Sequence, residues 1–144
     1  MARKQFAALP FRIKGNELSV LLITTRQKRR WSVPKGSPIR DAKPYRTAEI
    51  EAYEEAGVVG RISLQPLGQY IHRKKKAGRA RAYAIQVFAM KVLAQKRGWP
   101  EKGQRETAWL PASKAIELVH RAELGDLIKR LQRDHALIAG ARDP

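Results

Sequence analysis

Apolar residues near the start of the chain fall into two short runs separated by a turn. Residues 6–11 and 18–23 are rich in aliphatic and aromatic side chains, and Lys14-Gly15-Asn16 between them is typical of a tight turn. This pattern predicts a β-hairpin. Further on, the short apolar segment 31–33 is followed by residues 34–38, whose two prolines and one glycine favour a loop.

A helix is predicted over residues 44–56. Proline is favoured as the first helical residue, so Pro44 marks the start. No helix breaker follows it, and Gly57 stands where a residue in the left-handed conformation commonly ends a helix. The segment therefore reads as one uninterrupted helix of about four turns.

Strand-like and helical patterns follow in that order. Residues 58–72, interrupted by Pro66 and Gly68, and residues 81–93 and 107–110 have strand composition, with basic segments between them that favour loops. From Pro111 onwards apolar residues recur at helical spacing. Strands in the middle and helices at the end predict an α/β fold, in which helices sandwich a mixed β-sheet. We expect residues 1–144 to form a single domain.

Composition adds a strong charge to this picture. The chain has 30 Lys and Arg against 13 Asp and Glu, a formal charge of +17, and no cysteine. Positive charge of this size concentrates polyanions near the surface, whether these are nucleic acids or phosphate-rich metabolites. The lack of cysteine excludes thiolate metal sites, and the lack of a long apolar run predicts a cytoplasmic protein with no membrane partner.

Acidic residues are concentrated in and just before the predicted helix. Five of the 13 lie between residues 41 and 55. Glu51, Glu54 and Glu55 have spacings of three and four residues, which place them on one helix face within an arc of about 100°. Like charges at this spacing repel, and a hard divalent cation would compensate them. The alternative is a solvated acidic face, or pairing with Arg and Lys from elsewhere.

The residues around this cluster resemble the Nudix box, G-x5-E-x7-R-E-U-x-E-E-x-G-U with U apolar. Gly36, Glu51, Glu54, Glu55 and the Gly57-Val58 pair match it without a gap. Two positions depart from the motif: Ala42 stands for its first glutamate and Ile50 for its arginine. Their joint loss suggests removal of a mutually supporting pair, and the neighbouring Asp41 would partly replace the missing glutamate.

The resemblance implies a metal-dependent hydrolase with a Nudix-type α/β/α sandwich. Glu51 and Glu55 would ligate Mg²⁺ or Mn²⁺ together with the carbonyl of Gly36, and Glu54 would act as general base. A further ligand from outside the box would be Glu101 or Glu106. The chain looks most like diphosphoinositol polyphosphate and diadenosine polyphosphate phosphohydrolases, which implies a small, anionic, phosphate-rich substrate.

Cations on the elements expected to face the helix are candidates for binding that substrate. Arginine offers phosphate a planar fork and lysine a point charge, although each residue is equally well explained as a solvated surface cation. The aromatic residues are candidates for base stacking or, alternatively, ordinary packing, while His72 and His120 lack a partner at functional spacing. The cationic candidates are Arg3, Lys4, Arg12, Lys35, Arg79, Arg81 and Arg105.

Two other functions compete with small-molecule hydrolysis. A degenerate Nudix domain would bind RNA or polyphosphate without cleaving it, as Ala42, Ile50 and the charge suggest. An RNA 5′-pyrophosphohydrolase would apply the same chemistry to a polymer end, with strongly salt-dependent binding. The three retained glutamates favour catalysis. The sequence predicts neither the oligomeric state nor the preferred metal.

Overall fold

The fold was obtained as a computed structural model that describes the backbone of residues 2–140 and their side chains, except those of Lys76 and residues 136–140. Residue 1 and residues 141–144 of the predicted domain lie outside the described residues. The strands are β1 (Arg3–Lys14), β2 (Glu17–Thr24), β3 (Trp31–Ser32), β4 (Lys35–Gly36), β5 (Val58–Ile62), β6 (Gly68–Lys76), β7 (Arg79–Gln95) and β8 (Thr107–Pro111), and the helices are α1 (Pro44–Ala56), α2 (Ala112–Leu118) and α3 (Ala122–Gly140).

The eight strands form one mixed sheet. Its central pair, β1 and β7, is parallel, and β1 also pairs antiparallel with β2 and with the short β4. β6 and β5 pair antiparallel with β7, and β8 pairs antiparallel with β2. The predicted α/β sandwich around a mixed sheet is therefore confirmed.

Successive residues of the central strands point to opposite faces, so each face has its own core. Ala8 and Phe88 pack against α1, whereas Leu9 and Val87 belong to the cluster covered by α2 and α3. The residues of α1 that contact the sheet are three fully buried alanines, spaced four apart from Ala48 to Ala56. These small side chains let α1 lie close to the sheet, which fixes where its glutamates project.

The helix α1 begins and ends where the sequence predicts. Pro44 occupies the first turn, and Gly57 ends the helix in the left-handed conformation with φ of 72°. The Gly57 amide donates a hydrogen bond to the Tyr53 carbonyl at 2.9 Å. The ring of Trp99 packs on this glycine, where a β-carbon would lie 2.2 Å from a ring atom.

Two segments that read as loops are strands. Lys35 and Gly36 form β4 because β1 offers them partners, with Ala7 opposite Lys35 and Phe6 opposite Gly36. The basic residues 73–76 continue β6, since each pairs with a residue of β7, and the hairpin turns at Ala77 and Gly78, both with positive φ. Among the described residues, no helix is long and apolar enough to cross a membrane.

Candidate active site

Gly36 and Glu51 meet where β4 faces α1. A β-carbon at residue 36 would lie 2.2 Å from Oε2 of Glu51, so only glycine allows the carboxylate to approach the backbone this closely. Strand β4 is held in place by its pairing with Phe6 and Ala7 of β1. The two parts of the predicted box are therefore brought together. The close approach of Glu51 explains why the motif has glycine at this position.

Glu55 is the most deeply placed carboxylate of the helix, with 6% of its surface exposed. The backbone amide of Lys35 donates a hydrogen bond to Glu55 Oε1 at 3.4 Å. Burial raises the pKa of Glu55 to about 8; the Arg105 guanidinium opposes that shift, and the Glu51 carboxylate adds to it. Glu55 therefore lies in a setting that penalises its negative charge unless further positive charge is supplied.

Glu51 and Glu54 complete the acidic face of α1. Burial raises the pKa of Glu51 to about 7, with further contributions from the nearby carboxylates of Glu54 and Glu101. The structure thus brings three box glutamates and one acid from a distant loop into electrostatic contact. Within the described residues, no three acidic or histidine side chains surround a single point in the manner of a complete metal cage.

This donor set fits a hard divalent cation bound through a partial protein shell. Mg²⁺ is commonly held by one or two carboxylates plus water and substrate phosphates, so a full cage is not required. Glu55 is buried and Glu51 half-buried, and this burial is the main cause of their raised pKa values, so a cation bound between them would offset its cost.

Glu101 reaches the site through the segment of residues 96–104, which we call the Trp99 loop. Its amide donates a hydrogen bond to the Glu54 carbonyl at 3.0 Å, which docks the loop on α1. Its carboxylate lies 3.4 Å from Nη2 of Arg105. Glu106 is exposed, and its backbone pairs with Thr24. Of the two acids considered outside the box, Glu101 is the one beside the helix glutamates.

Arg105 and Lys35 are the predicted cations that lie beside the glutamates. Nη2 of Arg105 lies 3.9 Å from Glu55 Oε1, and its Nη1 donates a hydrogen bond to the Thr24 carbonyl at 3.2 Å. Burial lowers the pKa of the Lys35 ammonium; the Glu55 carboxylate opposes this shift, while the charge of Lys74 adds to it. Both residues place positive charge beside the carboxylates.

The remaining predicted cations lie elsewhere. The guanidinium of Arg12 sits 4.1 Å from the centre of the Trp109 ring, so it takes part in packing. Trp109 in turn donates to Gln95, whose amide donates to the last helical carbonyl, that of Ala56. Lys4 is exposed on β1, opposite Ala84. Arg3, Arg79 and Arg81 line a separate concavity of about 630 Å³.

The two substituted box positions are separated by the fold. Ile50 lines a hollow of about 320 Å³ beside Tyr53 and Glu54, on the far side of α1 from the buried alanines. Ala42 lies in the turn before the helix, where its amide donates to the Ile39 carbonyl at 3.1 Å. Asp41, suggested as a partial replacement, is exposed and has φ of 64°.

A histidine pair was missed by sequence reasoning. The rings of His72 and His120 meet edge to face with centroids 5.6 Å apart, and Nε of Arg121 donates to Nδ1 of His72 at 2.9 Å. Burial and the Arg121 charge lower the pKa of His72 to about 4, so the ring is neutral at pH 7. No spacing signal exists for residues 48 positions apart, which only the fold brings together.

Most of the aromatic residues considered for base stacking pack against other residues of the protein. Tyr70 is buried in the core, and Trp99 packs on Gly57. The Arg12 guanidinium stacks on the ring of Trp109. Lys74 places its ammonium 4.8 Å from the centre of the Tyr83 ring. Trp31 packs, partly buried, against the core beneath α2 and α3. Stacking on any of them stays a hypothesis.

Several known proteins are similar to this chain in sequence and in fold. Nudix hydrolase 12, mitochondrial, from Arabidopsis thaliana is 34% identical over 110 residues, which are 72% of this chain and 53% of that protein. Diphosphoinositol polyphosphate phosphohydrolase 3-alpha from Mus musculus is 26% identical over 134 residues, or 90% of this chain and 78% of that protein. This chain spans only about half the length of the plant relative.

The structural similarity extends over nearly the whole chain. The crystal structure of C. elegans Ap4A hydrolase superimposes with a TM-score of 0.66 and covers 92% of this chain and 98% of its own. At 16% identity this agreement concerns the fold alone. No protein-family model matches the sequence.

Proposed function

This chain belongs to the Nudix hydrolase family, and we propose that it hydrolyses a phosphoanhydride bond in a small, phosphate-rich substrate, with the help of a divalent metal ion. The observation that carries the proposal is the contact of the partly buried carboxylate cluster of α1 with strand β4. Glu51 lies against Gly36, and Glu55 is buried beside the Lys35 amide. A surface evolved only to bind anions gains nothing from such carboxylates.

Each residue of the cluster has a proposed role. Glu51 and Glu55, with the carbonyl of Gly36, would hold Mg²⁺ or Mn²⁺, and Glu101 is the additional ligand that its position favours. The bound ion would supply positive charge to the phosphate oxygens and make a coordinated water more acidic. Glu54 would accept a proton from the attacking water. The oxygen of that water would form a bond to phosphorus while the bridging P–O bond breaks and the rest of the substrate leaves.

Positive side chains next to the cluster would orient the phosphates. The Lys35 ammonium and the Arg105 guanidinium lie beside Glu55, so a phosphate placed there meets charge from the protein as well as from the ion. Because phosphoanhydride hydrolysis depends mainly on positioning and charge neutralisation, this arrangement supplies what the reaction requires. Arg3, Lys4, Arg12, Arg79 and Arg81 stay proposed substrate contacts that lie farther along the sheet.

The names of the relatives guide the choice of substrate. One acts on diphosphoinositol polyphosphates and a structural neighbour on Ap4A, so we propose an inositol pyrophosphate or a diadenosine polyphosphate. A 5′-triphosphorylated RNA is the second candidate, favoured by the charge of +17. The plant relative is named mitochondrial, and the cytoplasm stays our prediction for this chain.

The test is release of phosphate or mononucleotide from a panel of diadenosine polyphosphates, inositol pyrophosphates, nucleotide sugars and 5′-triphosphorylated RNA. Each reaction is run with Mg²⁺, Mn²⁺ or EDTA. We expect turnover of at least one substrate with metal and none with EDTA. Tight, salt-sensitive binding without any turnover would instead identify a degenerate binding module.

A matched pair of variants tests the role of Glu54. We expect Glu54→Gln to lower kcat by about 10² to 10⁴, the range for loss of a general base. Glu49→Gln is the control on the same helix, because Glu49 is engaged with Arg46 at 2.6 Å. Activity that survives Glu54→Gln at the level of Glu49→Gln would refute the assignment.

A further inference from the structure

The C-terminal end of α1 is held by groups from the segment that follows it in space, at the end of β7 and in the Trp99 loop. The last four carbonyl groups of a helix have no partner within the helix, so other groups must bind them. The Glu54 carbonyl accepts a hydrogen bond from the Glu101 amide at 3.0 Å. The Ala56 carbonyl accepts one from Nε2 of Gln95, also at 3.0 Å. This end of the helix is therefore tied to one continuous segment of the chain.

The ring of Trp99 packs on the same end of the helix. A β-carbon added to Gly57 would lie 2.2 Å from Cε3 and 2.6 Å from Cδ2 of the ring. Next to this contact, the Lys96 amide donates to the Gly57 carbonyl at 2.8 Å, and the Lys102 ammonium lies 5.1 Å from the ring centre. Nε1 of Trp99 is buried and has no hydrogen-bond partner among the described residues. Trp99 therefore acts on the helix through the packing of its ring and not through its N–H group.

The contact of α1 with the sheet restrains the helix only weakly along its own axis. This contact is made through the short side chains of three alanines, which offer few interlocking contacts. At the start of the helix, Lys43 provides no side-chain cap, and the first turn contains no acidic residue. Ala42 and Ile50 replace the pair that would support the helix in the motif. The hydrogen bonds and the Trp99 ring at the other end therefore supply an axial restraint that the alanines do not.

We propose that the Trp99 loop, docked through Trp99, holds the end of α1 and thereby positions its glutamates for metal binding and for the reaction. Trp99 is a positioning residue, because its ring contacts Gly57 and acts on the carboxylates through the helix. Glu51, Glu54 and Glu55 all lie within two turns of Gly57, so a shift of this end moves all three. The inference rests on the proposed hydrolase function, since it concerns the same site.

Binding of Mn²⁺ to the full chain is the first test, because it is measured without turnover. The electron paramagnetic resonance signal of the free ion gives the dissociation constant. We expect Trp99→Ala to raise this constant about tenfold or more and to lower kcat by a similar factor, as for the loss of a residue that orients metal ligands. Trp99→Phe should stay close to the wild type, because it keeps a ring on Gly57. Equal impairment in Trp99→Phe and Trp99→Ala would overturn the inference.

Leu131→Ala separates positioning from a general loss of stability. Leu131 is fully buried in the cluster under α2 and α3, on the opposite face of the sheet from α1. Its truncation leaves a cavity and destabilises the protein without touching the end of α1. At a temperature where circular dichroism shows every variant to be folded, Leu131→Ala should keep the Mn²⁺ affinity and kcat of the wild type. If it loses both as Trp99→Ala does, the effect is destabilisation and the inference fails.

The Glu101→Gln background separates positioning of the helix from presentation of Glu101. The Trp99 loop also carries this acid, whose carboxylate lies 3.4 Å from Nη2 of Arg105. We expect Trp99→Ala to weaken Mn²⁺ binding further in this background, because the helix glutamates move as well. The absence of any further loss would limit the loop to presenting Glu101 and would overturn the inference.

Amide hydrogen exchange separates failure of this inference from failure of the proposed function. If the wild type neither binds Mn²⁺ nor hydrolyses any substrate, the hydrolase proposal fails. The docking of the loop is still decided by exchange at the Glu101 and Lys96 amides, measured relative to the amides of β7. We expect Trp99→Ala to speed this relative exchange about tenfold or more, since local opening of the loop would no longer be opposed by the ring. If the wild type is active and Trp99→Ala matches it in Mn²⁺ affinity, kcat and exchange, only the positioning role of Trp99 fails.

Discussion

The α-carbon of Gly36 lies directly against the carboxylate of Glu51, since a β-carbon on residue 36 would be 2.2 Å from Glu51 Oε2 and 2.5 Å from its Cδ. These two residues are 15 positions apart in sequence, on β4 and α1. The contact joins the strand that presents the Gly36 carbonyl to the helix that presents the acids. It explains sterically why this position carries no side chain.

Gly36→Ala should therefore impair the reaction more than the fold. The methyl group would push the Glu51 carboxylate aside, and a displacement of about 1 Å in such a site commonly lowers activity about a hundredfold. The measurement is kcat/KM together with the Mg²⁺ concentration for half-maximal activity. Gly98→Ala is the control, since its added β-carbon meets nothing within 4 Å. Equal activity of the two variants would contradict the steric reading.

Gly57→Ala should destabilise the protein more than Gly78→Ala. Both glycines have positive φ, of 72° and 77°, so each alanine carries a similar backbone strain. Only at residue 57 does the new methyl group also meet the Trp99 ring, at 2.2 Å. Overpacking of this kind typically adds about 1–3 kcal/mol. Urea unfolding of both variants isolates the Trp99 contact, and equal losses of stability would show that the ring moves freely.

Signals between neighbouring residues were sufficient to predict the bounds of α1 and the common face of its glutamates. Pro44, Gly57 and the spacing of the acids concern neighbouring residues, so the helix bounds could be predicted. Strand β4 could not, because two residues form a strand only where β1 offers them partners. Likewise residues 73–76 carry charges typical of loops, and pairing with β7 overrides that preference.

Relations between distant residues account for the rest of the site. Arg105 was identified as a cation, but its contact with Glu55 crosses 50 positions and has no sequence signature. The same holds for the docking of Glu101 on α1. Tertiary structure thus decides which of many similar cations lie near the carboxylates.

Arg105→Gln should destabilise the protein, and Mg²⁺ should reduce the loss. The Arg105 side chain is only 12% exposed and lies between Glu55 and Glu101, so its removal takes this positive partner from Glu101 and leaves Glu55 with Lys35 alone among its two positive neighbours. Loss of one partner from such a buried pair costs about 2 kcal/mol or more. A bound divalent ion would supply the missing charge.

Thermal unfolding with EDTA or Mg²⁺ measures both effects. Arg105→Lys, which keeps the charge, should lie between the wild type and Arg105→Gln. Arg26→Gln removes an exposed arginine that contacts Gln104 and is the control. A loss of stability that Mg²⁺ leaves unchanged would mean that Arg105 acts through its bond to the Thr24 carbonyl and not through the acids.

In EDTA, the stability of the protein should fall as the pH rises from 6.5 to 8. The pKa of Glu55 is raised by burial to about 8 and that of Glu51 to about 7, both well above the value of 4.5 of the unfolded chain. Between these limits the folded state holds protons that the unfolded state has lost, so unfolding becomes easier as the pH increases. The physical cause is the ionisation of two neighbouring acids, of which Glu55 is buried and Glu51 half-buried.

The pH range is chosen to lie above most of the titration of the histidines, because their effect on stability has the opposite sign. Burial lowers the pKa of His72 to about 4 and also lowers that of His120, so the unfolded state binds more protons below pH 6.5. The contribution of the histidines to stability therefore rises with pH in that lower range, where it opposes the falling contribution of the glutamates. Above pH 6.5 the unfolded-state rings lose their remaining protons, so the histidine effect fades as the pH rises, and the two glutamates determine the sign of the slope up to pH 8.

Glu55→Gln assigns the slope to one residue. The amide cannot ionise, so the stability of this variant relative to the wild type should increase by about 1–2 kcal/mol between pH 6.5 and 8. Adding Mg²⁺ should reverse the trend in the wild type but not in the variant, because the ion binds the deprotonated carboxylates. Denaturant unfolding at several pH values measures these differences. Parallel curves for the two proteins in EDTA would mean that Glu55 is already ionised at pH 6.5, and that the positive charges of Lys35 and Arg105 outweigh its burial.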